Sequence, residues 1–179
     1  MDKFWKAIIG RQFESSIDML ENALKSCPET HWDVQLWKNP TMPAGFSEFW
    51  YILFHTLFWL DLYLSGSVES FSPPAPFTLD ELDPAGLLPE RQYSKDELQG
   101  YLKHCRRKCR ATIEGLTDVQ ARQQCKFAWG EMSFAELLLD NMRHVQEHGA
   151  QMNMILGQEL SLNNHWVTKS DQSAPEKNE

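Results

Sequence analysis

From Phe49 to Leu64 the chain runs 16 residues in which only His55, Thr56 and Asp61 interrupt the apolar side chains. A helix that crosses a bilayer needs about 20 such residues, so the stretch is too short to span a membrane. Its apolar side chains fall on every side of a helix and not along one stripe, which is the pattern of a helix enclosed by others. Glycine at 66 supplies the stop. A chain holding such a segment has to surround it, and helices that pack round a central apolar one are the simplest way to do so.

Three further segments have helical period. Phe4, Ile8, Ile9, Phe13, Ile17, Leu20 and Leu24 share one face of a helix from about Asp2 to Lys25, which Pro28 terminates. Ser94-Lys95-Asp96-Glu97 and Ser133-Phe134-Ala135-Glu136 each match a capping box. They open helices expected to end at Gly115 and Gly157. No run alternates like a strand for long, so the expected fold is all-α. The connection from Gly66 to Tyr93 carries Pro73, Pro74, Pro76, Pro84 and Pro89. It is long enough to traverse a 20-residue helix of about 30 Å. Such a long crossover between the second and third helices gives an up-down-down-up four-helix bundle. Residues 1–160 are read as this bundle and 161–179 as a polar, flexible C-terminal tail, in which only His165-Trp166 has the character to dock.

A net charge of −8 opposes phosphate attraction and argues against a nucleic-acid partner. The exception is local: His104, Arg106, Arg107, Lys108 and Arg110 cluster within Lys103–Arg110. They spread round much of a helix, which favours a solvated face over a docking patch for an anionic partner. The first residues lack an uninterrupted apolar core of the secretory kind, and no segment spans a membrane, so a cytoplasmic protein is expected. Cys27, Cys105, Cys109 and Cys125 form no C-x-x-C pair and read as ordinary thiols.

The chemistry resides in histidines. His144 and His148 are four residues apart, so on a helix both rings leave one face. Asn141, His144, His148, Gln151 and Ile155 form a single stripe, polar in the middle, which suggests a polar pocket inside the bundle. Buried imidazoles need partners. His55, alone among apolar neighbours on another helix, can complete a three-nitrogen site with one coordination position open, the arrangement of a catalytic metal centre. Neutral imidazoles suit zinc or nickel, with iron or copper as alternatives, because donor type alone does not choose. A di-iron carboxylate site is excluded, since neither helix-four histidine has glutamate three positions before it. His144-Val145-Gln146-Glu147-His148 also fits H-x-x-E-H, with Glu147 as a base, but that protease pattern belongs to a larger mixed fold.

Phe54-His55-Thr56-Leu57, Trp129-Gly130-Glu131-Met132-Ser133 and the H-x-x-x-H run from His144 to Gln151, in that helix order, resemble the DinB/YfiT-like metal-binding superfamily over roughly residues 1–157. (The translesion polymerase sharing the DinB name is unrelated to this reading.) The resemblance implies an up-down-down-up bundle, a His55–His144–His148 triad on a divalent metal, and a homodimer. It also implies a small-molecule substrate, with better-understood members acting as transferases or isomerases that use low-molecular-weight thiols. No catalytic residue beyond the ligands is assigned. Asp61 lies off the face of His55 and Glu147 is angled away, so no general base is evident. That mildly favours a metal-ionised thiol, which needs less base assistance than water, and hence an S-transferase. A metal-dependent hydrolase, a stress-related metal-binding module without catalysis, and a plain structural bundle are the alternatives. Trp59, one turn from His55, is read as core before pocket lining.

Overall fold

The computed structural model describes residues 2–170 of the chain. Four long helices dominate it: α1 (Lys3–Ser26), α2 (Phe49–Ser65), α3 (Lys95–Gly115) and α5 (Phe134–Leu160), with a short α4 (Asp118–Arg122) between the last two. Each of α1 and α2 packs against both α3 and α5. This arrangement places α2 directly against the helix carrying the H-x-x-x-H motif.

Each boundary has a local cause. The Asp2 carboxylate accepts from the Phe4 amide at 2.7 Å and starts α1. Both expected capping boxes form, at Ser94/Glu97 for α3 and at Ser133/Glu136 for α5. The first turn of α2 has no side-chain cap. Instead the preceding loop supplies acceptors, with Phe49 N–H donating to Val34 O at 2.9 Å and Trp50 N–H to Trp32 O at 3.0 Å. Gly66 closes α2 in the left-handed region at φ 72°. There an added Cβ would also lie 3.3 Å from the Phe134 ring.

The core is the interior of this helix set. Phe13, Ile17, Leu20 and Leu24 of α1, Phe54, Leu57 and Phe58 of α2, Leu98 and Leu102 of α3, and Leu137 and Val145 of α5 are fully buried. Phe4 is an exception to the sequence reading: it is 65% exposed, beside Trp5, at the start of α1. The proline-rich crossover is pinned through Phe77, which stacks on Tyr101 of α3 at 4.4 Å and on Phe54 of α2 at 5.9 Å.

Three features depart from the expectations. The chain is mostly helical, yet residues 124–133 form an antiparallel hairpin, β1 (Gln124–Phe127) on β2 (Gly130–Ser133). Strands of four residues are too short to show alternation, and the turn lacks the usual Asn-Gly signal. α5 continues through Gly157 to Leu160, because that glycine stays helical and Ser161 takes the left-handed cap at φ 56°. The basic cluster on α3 is only partly the expected solvated face: Arg107 is exposed, whereas Arg106, Lys108 and Arg110 turn to neighbouring helices. Arg106 is buried and donates to Glu14 (2.7 Å), Asp18 (2.6 Å) and Glu21 (2.9 Å) of α1, Arg110 donates to Glu14, and Lys108 donates to the buried Asp61 of α2.

Of the expected tail, residues 161–170 lie along α1 through Asn164 with Ser26 (2.9 Å), Thr168 O with Gln12 (3.2 Å) and Val167 N–H with Met19 Sδ (3.3 Å). Trp166 is 68% exposed. Residues 171–179, the rest of that tail, lie outside the described residues.

Candidate metal centre

α2 brings His55, and α5 brings His144 and His148, to one place. Ring centroids are 5.2 Å apart for His55–His144, 5.2 Å for His55–His148 and 4.6 Å for His144–His148. One nitrogen from each ring falls within 4.8 Å of the others, so the trio could hold a metal ion. The i,i+4 spacing on α5 works as expected, and the packing of α2 against α5 supplies the third ring.

Hydrogen bonds fix which nitrogens face inward. His55 Nδ1 lies 2.7 Å from Glu81 Oε2, and an ionised carboxylate only accepts, so Nδ1 carries the proton. His55 Nε2, across the ring, faces His144 Nε2 at 3.3 Å. Likewise His148 Nδ1 donates to the Gln151 side-chain oxygen at 2.8 Å, leaving its Nε2 free to accept. Two nitrogens sharing an ion at roughly 2.0–2.1 Å in a tetrahedral set stand about 3.3–3.4 Å apart, so the His55–His144 pair is already spaced for it. His144 Nδ1 is buried and has no hydrogen-bond partner. A cation on the Nε2 atoms would leave that Nδ1 unpaired, so the fit of an ion here rests on the spacing of the inward-facing nitrogens.

Protonation favours the same role. Burial, reinforced by repulsion from His148 and His55, pushes His144 down to about 3. Burial, then His55, lowers His148 as well, against the opposing pull of Gln151 and nearby carboxylates. Both are neutral lone-pair donors at neutral pH, the form a metal requires. All three rings are only partly buried, and the His55 side chain keeps 27% of its exposure, so the trio is not sealed from solvent.

Glu81 was not evident from the sequence. It sits in a single turn (Asp80–Leu82) of the crossover, where Asp80 and Asp83 look equally eligible. Its Oε1 accepts from Tyr51 at 2.6 Å, and Oε2 accepts from His55 and from Trp59 Nε1 at 2.8 Å. Burial alone would raise this carboxyl, yet the bonds from His55, Tyr51 and Trp59 hold it below the usual range. Trp59 therefore clamps the acid behind His55, a role between the core and pocket readings. Tyr51, raised by burial and by Glu81, stays a proton donor.

Other candidates are not at the centre. Asp61 is 1% exposed and engaged by Lys108 and Tyr101. Glu147 is exposed, on a groove with Gln12 and Trp166, which does not suit the base of an H-x-x-E-H protease. Cys105 and Cys109 are buried free thiols that burial pushes upward, Cys105 donating to Leu57 O, so neither is a ready ligand or nucleophile. A cleft of about 410 Å³ between α1 and α3 contains none of the three histidines. Among the described residues, no helix is long and apolar enough to cross a membrane.

Comparison with curated proteins and with solved structures returns no match. The model of the DinB superfamily matches residues 12–152, a span holding all three histidines and most of the helices that position them. The chain belongs to the DinB superfamily.

Proposed function

We propose that the protein binds a divalent metal through His55, His144 and His148 and uses it as a low-molecular-weight-thiol S-transferase. The observation that carries this reading is the convergence of three rings from α2 and α5, two of them held neutral, at a place solvent can reach. Zinc or nickel is the ion this reading takes, with iron or copper as alternatives, since three imidazoles accept any of the four. An ion held by the three histidines would supply Lewis acidity, enough to lower the pKa of a thiol or water towards neutrality.

The chain's own groups favour thiol over water. A water nucleophile benefits from a positioned base. Glu81 is already committed, with one oxygen taken by Tyr51 and the other by His55 and Trp59, and Glu147 faces away. A thiol held there would lose its proton to solvent, and its thiolate would then form the carbon–sulfur bond as the leaving group departs as its anion, so no positioned base would be required of the protein. The protein's part is to hold the ligand rings, keep Tyr51 protonated and leave one side of the trio open.

The same reading takes the four long helices as an up-down-down-up bundle, supported by the pairing of α1 and α2 with both α3 and α5 and by the length of the crossover. It takes the protein as a cytoplasmic homodimer, supported by four free cysteines and by the exposed Phe4 and Trp5.

The test is an assay of untagged, metal-loaded protein with an activated aryl halide and a panel of small thiols. Thiol-dependent turnover, lost in His144→Ala, is expected. Ester hydrolysis without thiol turnover would overturn the transferase and favour water activation; metal binding with neither activity would leave a non-catalytic metal-binding module.

A further inference from the structure

The crossover from Gly66 to Tyr93 does more than connect α2 to α3. Thr78, Leu79 and residues 83–87 are exposed, yet the side chain of Glu81 in their midst is only 5% exposed. A buried carboxylate in an otherwise solvated segment calls for an explanation, because burial is costly for such a group unless it is well bonded. Its partners are three side chains spaced one turn apart on α2: Tyr51, His55 and Trp59. The bond to His55 uses Nδ1, while Nε2, across the ring, faces His144. Glu81 thus stands behind the ring and not in the ligand set.

We propose that Glu81 is the positioning carboxylate of the three-histidine centre, and that through it the docking of the crossover and metal binding are linked. This rests on the metal-binding reading above. Three consequences follow from the geometry. The carboxylate selects the His55 tautomer that exposes Nε2 and fixes the ring plane. It makes that nitrogen a stronger donor, as an anion behind an imidazole does in other metal sites. Linkage is reciprocal, so a cation that favours the oriented ring also favours the docked segment. Phe77 anchors the crossover independently near its middle, so the metal-linked part is the stretch that follows, about residues 78–92.

The experiment uses the full untagged chain and one added divalent metal, zinc first, with nickel, iron or copper taking its place in every measurement if zinc does not bind. Zinc affinity is read by chelator competition, the His55 tautomer by proton–nitrogen NMR, and cleavage of the crossover by limited chymotrypsin digestion at Leu79, Leu82 or Leu87. Glu81→Gln should weaken zinc about 10–100-fold. It should also abolish the zinc-dependent protection of the crossover seen in the parent protein, and Glu81→Asp should recover part of the affinity. Tyr51→Phe removes a single hydroxyl from the clamp and should weaken zinc several-fold; it decides the matter if Glu81→Gln does not fold. Equal zinc affinity in the parent and in whichever variant folds would overturn the proposal, as would crossover cleavage indifferent to zinc in the parent. A parent protein that binds no zinc, nickel, iron or copper would remove the metal-binding reading itself. A merely structural Glu81 would lower the unfolding temperature without moving zinc affinity or the tautomer.

Discussion

His144 and His148 were legible because one helical turn relates them, and local geometry is what sequence spacing encodes. His55 was legible as an anomaly in an apolar helix, although its distance from the pair depended on packing. Glu81 was not, because nothing in Asp80-Glu81-Leu82-Asp83 distinguishes the acid that turns inward. Arg106 was misread for a similar reason: its partners lie on α1, at sequence separations of 85 to 92. The two readings of that arginine differ measurably. Arg106→Leu leaves Glu14, 1% exposed, with only Arg110 for compensation. A loss of about 3 kcal/mol in urea unfolding is expected. A solvated arginine would cost under about 0.5 kcal/mol.

At the level of helices and turns, caps proved the most readable signals. Both S-x-x-E boxes formed, and Thr117-Asp118-Val119-Gln120, a T-x-x-Q box that could have been found the same way, starts α4. The hairpin between α4 and α5 left no comparable mark. Gly157 misled because glycine tolerates a helix interior as well as ending one. The α3 cap has a definite pH dependence. Glu97 is held down to about 2, first by Arg91 and then by the Ser94 amide. A depressed carboxyl stabilises the fold above its unfolded value of 4.5 and loses that contribution as pH falls towards 2. Glu97→Gln should therefore be less stable by about 0.5–1 kcal/mol at pH 7, with the gap to the parent narrowing below pH 4 in thermal or urea melts. Gly66→Ala is expected to cost about 1–2 kcal/mol, from a left-handed backbone and from contact with Phe134.

For the whole molecule, the helical class followed from periodicity, whereas the pairing of helices did not. Which helix faces α2 depends on how long the crossover is and where it docks. Because the trio joins α2 to α5, ligation should act on global stability. An ion that binds only the folded chain at about 100 times its Kd adds about 2.7 kcal/mol. That raises the unfolding temperature of a chain this size by roughly 5–11 °C. The rise should vanish with a chelator and be absent in His144→Ala.

The most direct test is X-ray anomalous scattering at the zinc, nickel, iron and copper edges on crystals of untagged protein. One anomalous peak is expected, bonded by a nitrogen of each of His55, His144 and His148, with Glu81 on the far side of the His55 ring. A metal bound elsewhere, or rings at 55, 144 and 148 that share no ion after equilibration with excess zinc or nickel, would contradict it.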